Sequence, residues 1–584
     1  MIFDSYQNGS APDSIAYFSM EVGLEPSMPT YSGGLGVLAG DTLKAAADLS
    51  IPMVGVTLLH RKGYFRQQLD EQGNQTETSF EWNPSDYLEL QKPIISIWME
   101  GRKVYVRAWR YLIKGVSGHT VPVYFMDTCL DENSDSYKNL TDHLYGGDEQ
   151  YRFCQEVLLG LGGVELLSVL GYNNIKVFHM NEGHSALLGL ALLKETVGEE
   201  NLANATESDI DTVRRKCVFT THTPVPAGHD KFHFDLVARV LGEKQAAFLA
   251  STRANHDNAL NLTSLALMFS WYINGVSHQH EKISQDMFPE YPINSITNGV
   301  HARTWTSAPF KRLFDLHMEE WSEDPLYLRY AISIPLKEIR KAHREAKKRL
   351  IAEVARKSGI NLSPKVMTIG FARRATAYKR ADLIFTELER LKKIAETSGP
   401  IQIVLAGKAH PYDEGGKQMI RRIFQAKEIL KNDIPVVYLQ GYDMESAKFL
   451  CSGVDLWLNT PLRPREASGT SGMKAALNGI PSLSVLDGWW IEGHVEGVTG
   501  WAIESGESPT ENFCLEIESL YHKLEKIILP MYYNDPDAYT QIMRSAIALN
   551  ASFFSAQRMM IQYLNNAYNS KHNNSALKTQ NKSI

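Results

Sequence analysis

Residues 454–486, VDLWLNTPLRPREASGTSGMKAALNGIPSLSVL, contain the unit from which the fold can be interpreted. Apolar Val454 to Leu458 predicts a buried strand, and Met473 to Leu477 are good helix formers that follow a loop of small residues. Asn478-Gly479 is a helix stop, and the run from Pro481 to Leu486 predicts the next strand of a parallel sheet. The stretch therefore predicts a strand, a loop, a helix and a second strand.

The loop of this unit brings charged and hydroxyl groups to a helix start. Glu466 precedes the run Ser468-Gly469-Thr470-Ser471-Gly472, and the free backbone N–H groups there can receive a phosphate or sugar oxygen. Lys474 lies in the first helical turn, where a cation opposes the helix dipole unless an anion or a covalent partner compensates. By local spacing alone, an ordinary exposed lysine after a glycine-rich turn explains Lys474 better, so the rest of the chain has to decide.

Strand and helix patterns alternate on both sides of residues 306–357, a charged amphipathic segment that predicts connecting helices with a solvated face. Before this segment the predicted strands are residues 14–20, 53–59, 177–180, 218–220 and 295–299, with a hairpin at 103–109 and 121–126 and a helix at 149–170. After it the predicted strands are residues 366–371, 401–406, 436–439, 454–458 and 483–486. The alternation predicts an α/β protein with two doubly wound domains facing a central cleft, which is the expected binding site.

Polar residues follow three of the predicted strands in the first half. They are Asn181 to His184, Thr221 to Pro224 and Thr297 to Gly299. Open α/β sheets bind ligands at the carboxyl ends of their strands, so these residues are expected to share one cleft. The glycine loop Gly33 to Gly36 opens a helix in the same half, although such a loop is a weak signal by itself.

A basic loop follows the first strand of the second half. Residues 373–380, RRATAYKR, place four cations within eight residues directly after a buried strand. An exposed basic face is the alternative, but the position at a strand end favours ligand binding. Because the arginine fork matches phosphate and lysine supplies a point charge, the loop predicts a phosphate site.

Composition excludes several functional classes. The 584 residues exceed one core, and the net charge of −7 argues against a general nucleic-acid binder and against a polybasic membrane surface. Five scattered cysteines without a C-x-x-C pair predict neither a disulfide framework nor a zinc site, and no metal is expected. Neither a signal peptide nor a long apolar run is visible, which predicts a soluble cytoplasmic protein.

With Gly33 to Gly36, Asn298-Gly299, the basic loop and the string EASGTSGMK from Glu466 to Lys474, the chain closely resembles the α-glucan phosphorylases of the short bacterial type from about residue 14 to about residue 500. The resemblance implies a GT-B fold of two Rossmann-like domains and pyridoxal phosphate bound as a Schiff base to Lys474. The implied division is a glucan-binding domain at residues 1–310, a domain with the cofactor and phosphate sites at 311–545, and at 546–584 a final helix packing back toward the first domain, followed by a frayed tail.

The resemblance also implies individual roles for the site residues. Arg374 and Lys379 are implied to bind inorganic phosphate, helped by the Gly34 amide. The residues implied to surround the cofactor are Lys474, Arg373, Tyr442, Thr470, Ser471 and Trp305. The residues implied to bind the glucosyl unit are His222, Asn298, Glu466, Ser468 and Gly469. Those implied to lie around it are Leu35, Glu182, His184, Thr223, Tyr378 and Ala467. The implied catalytic residues are His222, Arg374, Lys379, Glu466 and Lys474.

The implied reaction is phosphorolysis of α-1,4-glucans or maltodextrin, releasing α-D-glucose 1-phosphate from the non-reducing end with retention. Inorganic phosphate attacks, and the cofactor phosphate buffers the proton. Homodimerisation is an expectation from the family.

Three features depart from the long animal enzymes. Asp443 follows Tyr442 where those enzymes carry an arginine, Ser471-Gly472 replaces Gly-Asn, and the shorter chain has no room for their regulatory N-terminal extension. One alternative is a nucleotide-sugar-dependent glucan synthase of the same fold, for which a second glutamate is expected in place of Lys474. Another is an inactive glucan-binding protein, which would have no reason to retain Arg374, Lys379, Glu466 and Lys474.

Overall fold

A computed structural model describes residues 14–506 and 509–569 of the chain. The polar tail from His572 and the first residues lie outside this described part. The described chain builds a nine-stranded and a six-stranded sheet, together with small sheets of three and two strands. No helix within the described ranges is long and apolar enough to cross a membrane.

The nine-stranded sheet is formed by the first half of the chain. Seven of its strands are parallel and the last two form an antiparallel meander at one edge. In order across the sheet the strands are Asn294–Ser295, Tyr272–Gly275, Cys217–Thr220, Ile175–Asn181, Ser14–Ser19, Met53–Leu58, Thr120–Asp127, Arg102–Lys114 and Glu89–Met99. The predicted hairpin is confirmed, whereas the interior strand Tyr272–Gly275 and the edge strand Glu89–Met99 were not predicted. The edge strand contains Pro93, which edge strands tolerate.

The six-stranded sheet is wholly parallel and is formed by the second half. In order, its strands are Val436–Leu439, Ile401–Ala406, Met367–Ala372, Leu456–Asn459, Ser482–Val485 and Gly500–Ile503. All five predicted strands are present, and Gly500–Ile503 adds a sixth at the edge. Every residue of the six strands is buried, which is why they appear in the sequence as short apolar runs without alternation.

Helices cover both faces of the two sheets. The α-helices of eight or more residues are Gly34–Asp48, Glu149–Val157, Leu187–Val197, Glu207–Arg214, Phe234–Leu241, Glu243–Ala250, His278–Met287, Ala308–His317, Leu336–Ser358, Leu388–Thr397, Glu414–Leu430, Met444–Gly453, Pro509–His522, Pro536–Ser545 and Ala556–Tyr563. The helix predicted at 149–170 is interrupted by a π-helical segment, Leu158–Gly162. A Cβ at Gly160 would lie 2.7 Å from the Leu188 amide, so this segment packs closely against the next helix.

The charged segment forms the amphipathic helix Leu336–Ser358, and its buried side includes charged residues that the sequence analysis did not single out. His343 and Lys347 are buried there and both contact Asp455, at 2.8 and 2.5 Å. Burial opposes ionisation of Asp455, but Lys347 and His343 together lower its pKa to about 2. The helix is therefore bound to the sheet through a buried ion cluster.

A hairpin and a helix are among the elements that join the halves of the chain. The two-stranded hairpin of Arg66–Leu69 and Gln75–Thr78 reaches the second sheet, where Gln67 and Gln75 donate to the Gly407 and Ala409 carbonyls at 2.9 and 2.8 Å. Helix Ala556–Tyr563 returns to the first half and packs on helix Gly34–Asp48. These contacts bring the carboxyl ends of both sheets near the same loops.

Candidate active site

The centre of the site is a buried carboxylate held by two cations. Glu466 is 5% exposed, and its Oε2 atom lies 2.7 Å from Arg373 Nη1 and in contact with Lys379 Nζ. Burial opposes ionisation of Glu466, but Arg373 and Lys379 lower its pKa to about 2. The basic loop and the loop after strand Leu456–Asn459 are thus joined through their charges.

The four cations of the basic loop have different surroundings. Arg380 donates to the Thr460 and Pro461 carbonyls at 2.9 and 2.8 Å, so it fixes the loop. Lys379 Nζ lies 4.4 Å from the centroid of the Tyr378 ring. Arg374 is exposed and forms no ion pair in the described part of the chain, so its guanidinium is available to an anion.

Lys474 is buried, which contradicts the explanation as an ordinary exposed helix lysine. It lies in the short helix Ser471–Ala476, is 7% exposed, and places Nζ 4.0 Å from the centroid of the Trp305 ring. Burial lowers the pKa of Lys474, although Asp41 opposes this effect. Asn478 holds the two residues in place by donating to the carbonyls of Trp305 and Lys474 at 2.9 and 3.0 Å.

The other residues expected around a cofactor lie close to this lysine or to Arg373. Ser471 accepts a hydrogen bond from Trp457 at 3.2 Å, and the Tyr442 hydroxyl donates to the Ala372 carbonyl at 3.4 Å. Thr470 is the N-cap residue of the lysine helix, without a side-chain cap. Asp443, which follows Tyr442, is the N-cap residue of helix Met444–Gly453 and accepts from the Ser446 amide at 2.7 Å.

On the sugar side, the first sheet supplies His222. Its Nε2 atom lies 2.7 Å from Asn181 Oδ1, and burial lowers its pKa to about 3, so the imidazole is neutral near pH 7. Glu182, also expected at the sugar, accepts hydrogen bonds from this loop. Its carboxylate accepts from the Gly183 amide at 3.1 Å, the His222 amide at 2.8 Å and the Thr223 hydroxyl at 3.0 Å.

His184 belongs to a cluster that the sequence analysis missed. Its Nε2 lies 3.3 Å from Asp230 Oδ2, and ligand atoms of Glu156, His184 and Asp230 lie within 4.8 Å of one another. Arg152 already contacts Asp230 at 2.5 Å, and burial raises the pKa of Glu156 well above its usual value. Arg152 therefore supplies a positive charge to this cluster.

Two buried polar atoms near the centre have no hydrogen-bond partner in the described protein. They are Ser468 Oγ and Asn298 Oδ1, on side chains of residues that are 4% and 3% exposed. Such atoms are costly unless a ligand or water pairs with them. The neighbouring Ala467 carbonyl accepts from Ser277 at 2.6 Å, and Gly469 has a φ of +82°, so the backbone of this loop is held by both halves.

Two carboxylates that the sequence analysis missed shape the glycine-containing loops. Asp487 accepts from the Glu466 and Gly488 amides, both at 2.9 Å, and burial raises its pKa to about 7. Glu21 accepts from the Ser32 amide at 2.5 Å and holds the start of the loop that carries Gly34 and Leu35. A Cβ added at Gly34 would meet no described atom within 4 Å, so there is open space beside its backbone.

Known proteins are similar to this chain over most of its length. The family model for carbohydrate phosphorylases matches residues 168–500. A maltodextrin phosphorylase of Thermococcus litoralis is 39% identical over 95% of this chain and 70% of its own length. Glycogen phosphorylases of Mycobacterium tuberculosis and Aquifex aeolicus are 36% and 33% identical over 95% of this chain, covering 71% and 86% of their own lengths.

Proposed function

This chain belongs to the carbohydrate phosphorylase family, and we propose that it cleaves α-1,4-glucans by phosphorolysis, releasing α-D-glucose 1-phosphate from the non-reducing end with retention. The observation that carries the proposal is the meeting of Arg373, Lys379 and Glu466 beside the buried Lys474. A hydrolase would need water and two carboxylates, whereas this site gathers cations.

Pyridoxal phosphate is the cofactor of this family, and Lys474 is the residue we assign to it. The fit rests on a buried amine whose pKa is lowered, an aromatic ring 4.0 Å away, and a helix start of small residues. A neutral amine is the form that reacts with an aldehyde, so the lowered pKa of Lys474 favours attachment. When bound, the cofactor supplies a phosphate group able to exchange a proton near neutral pH.

Inorganic phosphate would be held by Arg374 and Lys379 with the Gly34 amide. Arg373 and Lys379 share one carboxylate, Glu466, and Arg374 forms no ion pair among the described residues, so these loops keep a positive charge for an anion. An exposed Arg374 can bind two phosphate oxygens at once, while the buried Lys379 supplies a fixed charge.

The glucosyl unit would be oriented by Glu466, the amides around Ser468 and Gly469, and Asn298. Ser468 Oγ and Asn298 Oδ1 supply the unpaired polar atoms that sugar hydroxyls would satisfy. Neutral His222 positions the sugar through its ring and carbonyl and does not act as an acid at neutral pH. Leu35, Thr223, Tyr378, Ala467 and His184 complete the sugar surroundings in this proposal.

Each half of the chain would form one Rossmann-like domain of a GT-B fold. The proposed boundaries remain 1–310, 311–545 and 546–584, supported by the separate sheets and by the return of helix Ala556–Tyr563 to the first half. We further propose that the enzyme works in the cytoplasm as a homodimer.

Incubation with maltodextrin, with and without inorganic phosphate, tests the reaction. Phosphate-dependent release of α-D-glucose 1-phosphate is expected. Borohydride reduction and peptide mapping should place a pyridoxyl group on Lys474. Maltodextrin binding without sugar phosphate would favour the inactive binding protein, and glucan growth that requires a nucleotide sugar would favour the synthase.

A further inference from the structure

Two aspartates on helix Gly34–Asp48 make comparable contacts but differ in how fully they are paired. Asp48 Oδ2 lies 2.8 Å from His301 Nε2 and 3.1 Å from Gln557 Nε2, while its Oδ1 accepts from the Val116 amide at 2.9 Å. Both oxygens of Asp48 are therefore used. Its role is to fasten neighbouring segments to the helix.

Asp41 uses only one of its oxygens. Its Oδ2 accepts from Trp305 Nε1 at 2.8 Å, but its Oδ1 has no hydrogen-bond partner among the described residues, and Asp41 is 1% exposed. A buried, unpaired carboxylate oxygen is costly in a region whose only purpose is packing. The Oδ1 atom of Asp41 therefore calls for a role beyond packing.

The same indole connects Asp41 to Lys474. Trp305 donates from its ring edge to Asp41, while Lys474 Nζ lies 4.0 Å from the centroid of its ring. The charged or titratable groups facing Lys474 are Asp41, Arg373 and the thiol of Cys451, whose pKa burial raises to about 12. Since that thiol is neutral and Arg373 is a cation, Asp41 is the anion among these three.

We propose that Asp41 is the charge partner of the Lys474 nitrogen in the cofactor-loaded enzyme, where its negative charge stabilises a proton on that nitrogen and its Oδ2 atom fixes Trp305. The inference rests on the proposed function, because it concerns the nitrogen to which the cofactor would be linked. No bond is made or broken by Asp41, which remains a carboxylate. It acts as a positioning and charge-stabilising residue.

The test is a pH titration of the cofactor-loaded enzyme by absorption, since the protonated and unprotonated linkages absorb at different wavelengths. Asp41→Asn keeps an oxygen for Trp305 and removes the charge. Because a lost negative charge destabilises the protonated form, the titration midpoint should fall by about one pH unit or more. Asp48→Asn, on the same helix, should move the midpoint by less than about half a unit.

The outcomes separate this inference from the proposed function. Absence of a borohydride-trapped group on Lys474 in the unaltered protein would contradict the proposed function itself. A trapped group in both proteins with the same midpoint would overturn the role of Asp41. If Asp41→Asn fails to retain the cofactor, Asp41→Glu must restore both retention and the midpoint; failure of that variant also overturns the inference.

Discussion

Strand Leu456–Asn459 has a buried carboxylate near each end, with Asp455 before the strand and Glu466 after it. Before the strand, Asp455 contacts His343 and Lys347 and accepts from the Thr368 amide at 2.7 Å. After the strand, Glu466 contacts two cations, but Ser468 Oγ nearby has no partner among the described residues. Both carboxylates have a pKa lowered to about 2 despite burial, so a shifted pKa alone does not distinguish a structural cluster from a functional one. Position at the carboxyl ends of parallel strands makes the distinction. An unpaired buried atom does not, because His343 Nδ1 beside Asp455 and Ser468 Oγ beside Glu466 both lack a partner among the described residues.

The largest expected effect is on stability, at the Asp455 cluster. Lys347→Ala leaves Asp455 buried without its lysine, which should lower the free energy of unfolding by about 3–5 kcal/mol. Urea unfolding measures this loss. Lys348→Ala, its exposed neighbour, is the control and should stay within about 0.5 kcal/mol. A similar small change for both variants would show that the Asp455 cluster contributes little to stability.

The next largest effect is on turnover, at the Glu466 cluster. Lys379→Ala should lower kcat for phosphorolysis by about 10²–10³-fold, because it removes a fixed charge at the reacting phosphate. Maltodextrin binding should remain nearly unchanged, since Glu466 keeps Arg373 as a partner. Steady-state kinetics and a binding assay check the two effects separately. An equal loss of binding and turnover would contradict the role assigned to Lys379.

Acid should weaken both clusters. A carboxylate whose folded pKa is lowered to about 2 stabilises the fold fully above its unfolded pKa of about 4, and this contribution disappears as the pH falls through about 2. Each contribution is of order 2–3 kcal/mol. Asp455→Asn and Glu466→Gln should each flatten the decline of unfolding free energy measured between pH 5 and pH 2. An unchanged slope in either variant would remove that carboxylate from the explanation.

The smallest expected effect is on kcat/KM, through the unpaired hydroxyl of Ser468. Ser468→Ala should lower kcat/KM for maltodextrin by the equivalent of about 0.5–1.5 kcal/mol without loss of stability, because its hydroxyl has no partner in the protein. The matched control is Ser452→Ala, whose buried hydroxyl donates to the Lys448 carbonyl at 2.7 Å. That variant should lose stability and keep kcat/KM. The reverse pattern would contradict the assignment of Ser468 to the sugar.

Much of the fold was predictable because its signals are local. Buried strands such as Ile401–Ala406 are short apolar runs, and the helix stop at Asn478-Gly479 is turn chemistry within two residues. Strand Glu89–Met99 was missed because it is largely exposed and irregular. Strands Tyr272–Gly275 and Gly500–Ile503 were missed because each has only three residues beside a glycine, which is unfavourable in a strand. Sheet order was beyond local patterns in both halves.

The sequence by itself determined the two alternating α/β series, the basic loop and the string from Glu466 to Lys474, since each depends on residues close together in the chain. Only the tertiary structure decided that Lys474 is buried, that Glu182 accepts from the His222 amide about 40 positions away, and that Asp41 contacts Trp305 across 264 positions. Such contacts depend on which strands become neighbours. That order is set by the packing of whole elements, and no local spacing records it.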